Sequence, residues 1–235
     1  MSIKKIAFFV EGLTERLFLE KLLTEIFGEK RVAVNIKTIK GGSSIPITIS
    51  TISSKQITDE IQYYILIYDC GGDSTIKSYI KDQRDSLLKN GYLKIIGLRD
   101  VFPDFKRTEI PILNRLMYYG IPQSKLPIKF ILSIMEIEAW FLTEENHFGK
   151  IHTSLTPEYI FTNLGFNPRT DDTTIFDEPS QKLNDIYHLA GLGYNKSESS
   201  INRTINSIDY GNIYFNSFNK NISLKELIDE VNSMI

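Results

Sequence analysis

The sequence predicts an α/β protein: a mostly parallel sheet flanked by helices, with a helical C-terminal lobe. Three observations predict it. Apolar strand-like runs alternate with helical stretches through about residue 145, the order that yields a parallel sheet with helices on both faces. The first run ends on a carboxylate and a glycine, Val10-Glu11-Gly12, and turns into a helical pattern. After residue 146 the strand pattern stops, and loop-rich sequence gives way to short amphipathic helices.

Residues 4–10 read as a buried strand. Leu19, Leu22, Leu23 and Ile26 then recur at helical spacing, which predicts a helix over 14–27 with Thr14 as its N-cap. Residues 32–39 alternate and predict a second strand. Gly41-Gly42-Ser43-Ser44 reads as a loop, followed by a short helix within 45–60. Residues 63–68 form a strand that runs into Asp69, and a turn leads to a helix over 76–89, closed by Asn90-Gly91. Strands over 93–98 and 128–134, a helix over 109–119 and a helix starting at Glu136 complete the first 145 residues. In the lobe, 146–180 is loop-rich, and helices are expected over 183–189, 198–208 and 224–235. The expected division is therefore 1–145 for the sheet domain and 146–235 for a lobe packed on it.

Composition narrows the class. The chain has 235 residues, enough to bury a sizeable core. No apolar run reaches the ~20 residues that span a bilayer, so no membrane association is expected. The apolar stretch after Lys4 and Lys5 stops at Glu11, too short and too acidic for a signal peptide. Cys70 is the one cysteine, which excludes an internal disulfide and suits a reducing cytoplasm. His147, His152 and His188 are scattered, without zinc spacing. A net charge of −2 excludes a basic nucleic-acid coat but leaves room for a local basic patch. Gly41-Gly42-Ser43-Ser44 lacks the Gly-Lys-Ser/Thr ending of a phosphate-binding loop.

Acids at strand ends carry the chemical signal. Glu11 and Asp69 follow predicted parallel strands, and Asp100 lies just past the next one. Open α/β sheets place their sites at that carboxyl edge. Adjacent strands are ~4.8 Å apart, so acids there can share one hard divalent ion, Mg²⁺ or Mn²⁺. Glu15, Asp73, Glu136 and Glu138 are further candidates. Each acid taken singly has a plainer role open to it: Asp73 can cap the helix over 76–89 and Glu15 can complement its helix dipole. Their repetition at several strand ends favours a metal site.

The stretch Phe9-Val10-Glu11-Gly12-Leu13-Thr14-Glu15 resembles the opening of toprim domains, especially those of OLD-family nucleases. In that pattern an aspartate pair, D-x-D, follows a later strand. Asp69-Cys70-Gly71 stands in its place here, with Gly71 for the second acid. Arg99-Asp100-Val101-Phe102-Pro103 and the block from Ile134 to Leu142 resemble small stand-alone OLD-like toprim proteins, with Asp100 and Glu138 at the matching acids. The resemblance covers 5–145, and reaches the tail loosely through Lys196. It implies a toprim (Rossmann-like) fold and metal-dependent nuclease chemistry on DNA or RNA. Carried over, Glu11 is the general acid/base, and Asp69, with Asp73 or Asp100, holds Mg²⁺ or Mn²⁺. Glu15 and Glu138 are supporting or second-metal ligands. It further implies work in anti-phage defence beside an ATPase partner; the sequence leaves a homo-oligomer open. Gly71 favours a rival reading, a non-catalytic toprim-fold module that docks on an ATPase. Nucleotidyl transfer as in primases would need nucleotide-binding elements that the sequence lacks.

Arg16, Arg99, Lys106 and Arg107, with Arg115, fall at or just after the proposed edge and can contact phosphates. Singly, each is as well explained by a solvated surface; Lys106 and Arg107, adjacent in a loop, are the better pair. Trp140 and Phe141 are expected in the core, and Cys70 as a small buried residue without chemistry.

Overall fold

The computed structural model describes residues 3–42, 45–122 and 125–235, except the side chain of Asp73. It divides into two compact units: Met1–Arg99 with Pro111–Leu132, and Asp100–Ile110 with Ser133–Ile235.

The first unit is built on a six-stranded sheet: β1 (Lys4–Val10), β2 (Val32–Gly42), β3 (Ile45–Ser53), β4 (Tyr63–Asp69), β5 (Lys94–Asp100) and β6 (Ile128–Ser133). Their order is β3-β2-β4-β1-β5-β6. β1 pairs in parallel with both β4 and β5, and β2 with β4. The helices are α1 (Leu13–Phe27), α2 (Ile76–Lys89) and α3 (Ile110–Tyr118). β1 is the centre of the core: Ile6 to Val10 are fully buried. A strand covered on both faces reads as a continuous apolar run instead of an alternating one, which is the pattern of Ile6-Ala7-Phe8-Phe9-Val10. On the neighbouring β5, Gly97 leaves room for Phe130 and Ile80; a Cβ there would lie 2.7 Å from Phe130 Cδ1 and 2.9 Å from Ile80 Cδ1.

Two expectations need correction here. Residues 45–53 form β3, antiparallel to β2, and not part of a helix. The run Ile45-Pro46-Ile47-Thr48-Ile49-Ser50-Thr51-Ile52 is rich in β-branched residues, stiff at χ1 and suited to a pleated strand. Thr14 is not the N-cap of α1. The helix starts at Leu13 with Gly12 as its cap, and the Glu15 carboxylate accepts the Gly12 N–H at 3.0 Å. Ser43 and Ser44, in the expected glycine-serine loop, lie outside the described residues.

The second unit is helical: α4 (Glu138–Phe141), α5 (Asn146–Ile151), α6 (Pro157–Leu164), α7 (Pro179–His188), α8 (Glu198–Ser207), α9 (Tyr210–Asn212) and α10 (Ile222–Asn232). It comprises Asp100–Ile110 and Ser133–Ile235. The segments leaving β5 and β6 belong to it because they bond to each other: Val101 and Phe102 donate their N–H groups to the Met135 carbonyl at 3.0 and 2.7 Å. The stretch expected to be loop-rich, 146–180, carries α5 and α6; Thr156 caps α6 from its side chain, with Pro157 at the first helical position. Trp140 and Phe141 are fully buried, as expected, and Trp140 Nε1 donates to Ser223 Oγ at 2.8 Å. Leu224, Leu227, Ile228 and Val231 form the buried stripe of α10. Each such side chain contributes about 1.5–3 kcal/mol relative to exposure.

Candidate functional site

The first unit presents its acids at the carboxyl edge of the sheet. β1 leads through α1 to β2 on one side, and β4 leads through α2 to β5 on the other. Crossovers of this kind are right-handed in parallel sheets, so connections running in opposite directions leave to opposite faces and open a crevice between the strand ends. The two strands at that point are β1 and β4. Val10 pairs with Asp69, which sets Glu11 one residue beyond Asp69 on the adjacent strand. Cys70 N donates to Val10 O at 2.9 Å and Gly72 N to Glu11 O at 3.0 Å, tying the two loops together. Gly71 and Gly72, at φ +69° and +153°, make the turn, a backbone that L side chains rarely adopt.

The Asp69 carboxylate is engaged. Arg16 Nη1 stands 3.1 Å from Asp69 Oδ2, and Gly71 N donates to Asp69 Oδ1 at 3.2 Å. Arg16, expected as a phosphate contact, is thus placed beside an acid instead. Cys70 is buried, and burial, with the Asp69 charge next to it, pushes its thiol far above the ordinary range. It is an inert thiol in this setting. β5, on the other side of β1, ends on Asp100. The side chain of Asp73 lies outside the described residues.

The second unit holds two buried acids that share a partly exposed lysine. Lys196 Nζ lies 2.8 Å from Glu136 Oε1 and 3.3 Å from Glu138 Oε2. Tyr194 OH donates to Glu138 Oε1 at 2.7 Å, and Ser180 donates to Glu136 from its N–H at 2.8 Å and its hydroxyl at 3.0 Å. Ser133 donates from its hydroxyl to Asp100. Burial raises the pKa of Glu138, against the lowering pull of Lys196. For Lys196 burial works downward, but Glu138, Glu136 and Asp100 outweigh it and hold the ammonium well above the ordinary lysine range. Met135 and Lys196 are the two non-glycine residues with positive φ among those described, at 66° and 55°. Held left-handed backbone of this kind concentrates at functional sites. Sequence reasoning had placed Glu138 among the metal ligands; the structure sets it inside an ion-paired network with Lys196. Tyr194, Ser180 and Ser133 were missed, since hydroxyl groups at those positions carry no pattern in sequence.

The basic residues fare differently from one another. Arg107 Nε lies 2.9 Å from Asp177 Oδ1, and its two terminal nitrogens donate to the carbonyls of Thr174 and Phe176. Its guanidinium holds the 174–177 segment. Arg99 is 9 % exposed and its Nη1 contacts Met117 Sδ at 3.7 Å, which corrects its placing as a surface phosphate contact. Lys106 is exposed. It lines a cavity of about 510 Å³ together with Phe102, Pro103, Phe105 and Met135.

No family model matches the chain, and no curated protein matches it. One solved structure is similar over part of its length: a protein of Lactobacillus plantarum WCFS1 described provisionally as a cell surface hydrolase. The likeness covers 57% of this chain and 55% of that one, at 16% identity and a TM-score of 0.34. No helix among the described residues is long and apolar enough to cross a membrane.

Proposed function

We propose that this chain is a toprim-fold, Mg²⁺- or Mn²⁺-dependent nuclease that hydrolyses phosphodiester bonds of DNA or RNA, as the effector subunit of a cytoplasmic anti-phage system with an ATPase partner. The observation that supports it most directly is the delivery of Glu11 and Asp69 to one sheet edge by adjacent parallel strands, tied through Gly72 N to Glu11 O. The resemblance of Glu11-Gly12-Leu13-Thr14-Glu15 to the toprim opening agrees with that placement. Asp69 and Glu11 are the oxygen donors that would hold the ion; Glu15 would support them from the first turn of α1. A bound divalent ion neutralises charge developing on the phosphate and lowers the pKa of its water. Glu11 is half-buried and follows the strand directly, a position from which a carboxylate can move a proton to or from the reacting oxygen.

A second reading rests on Arg16 and Gly71. The Arg16 guanidinium already neutralises Asp69, and Gly71 replaces the second acid of the toprim pair. On that reading the fold is a docking module for an ATPase. One assay separates the two. Purified protein, alone and with co-expressed neighbours, is given DNA and RNA with Mg²⁺ or Mn²⁺, with and without EDTA. Metal-dependent cutting supports the nuclease. Cutting that persists in EDTA, or none under any condition, removes it.

A further inference from the structure

The cavity beside Lys106 has a shape and chemistry of its own. Its lining includes the half-buried Phe102 and Phe105, the buried Met135 and the exposed Lys106 and Thr108. Asp177 and Glu178, both exposed, also line it. The Arg107–Asp177 pair ties this acidic stretch to the 102–108 segment. At about 510 Å³ the cavity lies within the range of small-molecule sites. In the chain, its lining adjoins two acids of the second unit. Asp100 precedes Val101 and Phe102, whose N–H groups bond to Met135 O, and Glu136 follows Met135.

Two aromatic side chains with charged side chains of both signs beside them suit a heteroaromatic ring that carries donors and acceptors on its edge. The Lys106 ammonium suits an attached phosphate. A base in a duplex cannot reach such a slot without leaving its stack, whereas an unpaired base can. We propose that this cavity receives an unpaired nucleobase, stacked against Phe102 and Phe105 with its phosphate on Lys106, and that the chain therefore acts on single-stranded nucleic acid. The proposal deepens the nuclease reading and rests on it for the identity of the polymer. The slot accepts any base, because every base offers a π-face.

The test uses the full chain and a short single-stranded oligonucleotide whose one base is 2-aminopurine and whose other positions are abasic, the fully abasic strand of the same length, and a fully paired duplex of that length. Binding is read by anisotropy and by 2-aminopurine emission in EDTA, so that no cleavage occurs. The base-containing strand is expected to bind about tenfold tighter than the abasic strand and the duplex. Phe102→Ala with Phe105→Ala should erase that preference. Phe105→Trp, which keeps a stacking face, should retain it, and Lys106→Ala, at an exposed position, should weaken binding several-fold with the fold unchanged by circular dichroism. Equal binding of base-containing and abasic strands overturns the proposal, as does a preference that survives the double alanine variant. Metal-dependent cutting without base preference would sink this inference and leave the nuclease reading in place. Base-dependent binding without cutting in Mg²⁺ would do the reverse. No binding of any strand would remove both.

Discussion

Lys196 Nζ stands 2.8 Å from Glu136 Oε1 and 3.3 Å from Glu138 Oε2, so one ammonium serves two buried carboxylates. Removing it leaves both acids uncompensated in a place where an unpaired charge is costly. Lys196 is itself partly exposed, which screens part of that cost. Lys196→Met is expected to destabilise the protein by about 1–3 kcal/mol, measured by urea unfolding. Glu138→Gln in the Lys196→Met background should recover part of the loss, a coupling that a double-mutant cycle would read. The folded-state pKa of Lys196 is raised, so its contribution is complete below the unfolded lysine value and is lost as pH climbs past it. The gap between wild type and Lys196→Met should hold through neutral pH and close only above about pH 10.

His147 gives the opposite pH behaviour. It is fully buried, its Nδ1 bonds to the Glu144 carbonyl, and burial lowers its pKa from 6.5 to about 4. A lowered histidine pKa means that the unfolded chain binds the extra proton first. Its contribution is present above pH 6.5 and is lost as pH falls toward about 4. That amounts to about 3 kcal/mol at most. Wild-type thermal midpoints should fall across this window, and His147→Phe should flatten that part of the curve. An unchanged slope in the variant would remove the assignment.

Gly97 is held by packing. Gly97→Ala would drive a methyl against Phe130 and Ile80 at 2.7 and 2.9 Å. Overpacking of this kind costs about 1–3 kcal/mol, to be read as a lower denaturant midpoint. Phe130→Leu in the same chain should return some of it, because the closest atom belongs to the Phe130 ring.

The proposed chemistry divides between Glu11 and Asp69. Glu11→Gln keeps size and polarity but cannot transfer a proton, so cleavage should drop roughly 10²–10⁴-fold with the fold intact. Asp69→Asn should raise the Mg²⁺ concentration needed for activity. Cys70→Ala should leave cleavage nearly unchanged, because the thiol is buried and its pKa is pushed up. Activity that survives both acid substitutions would exclude the mechanism.

Much of the first unit was legible from local pattern. Periodicity and turn residues predicted β1, β4, β5, β6, α1 and α2 within a few residues, because a strand's burial and a helix's apolar face are written at spacings of two and three to four residues. The same local reading placed Glu11 and Asp69 at strand ends and Trp140 in the core. It failed at 45–53, where the strand's partner, β2, decided between helix and hairpin.

By itself, then, the sequence determined the alternation of strands and helices and the acids that end the strands. Only the tertiary structure decided which polar groups meet. Glu136 and Lys196 are 60 residues apart in the chain, and Arg107 meets Asp177 across 70. Nothing in either local pattern announces the other. The reason is physical: burial repeats along the chain with the geometry of its own element, whereas a charge pair depends on where two distant segments come to rest.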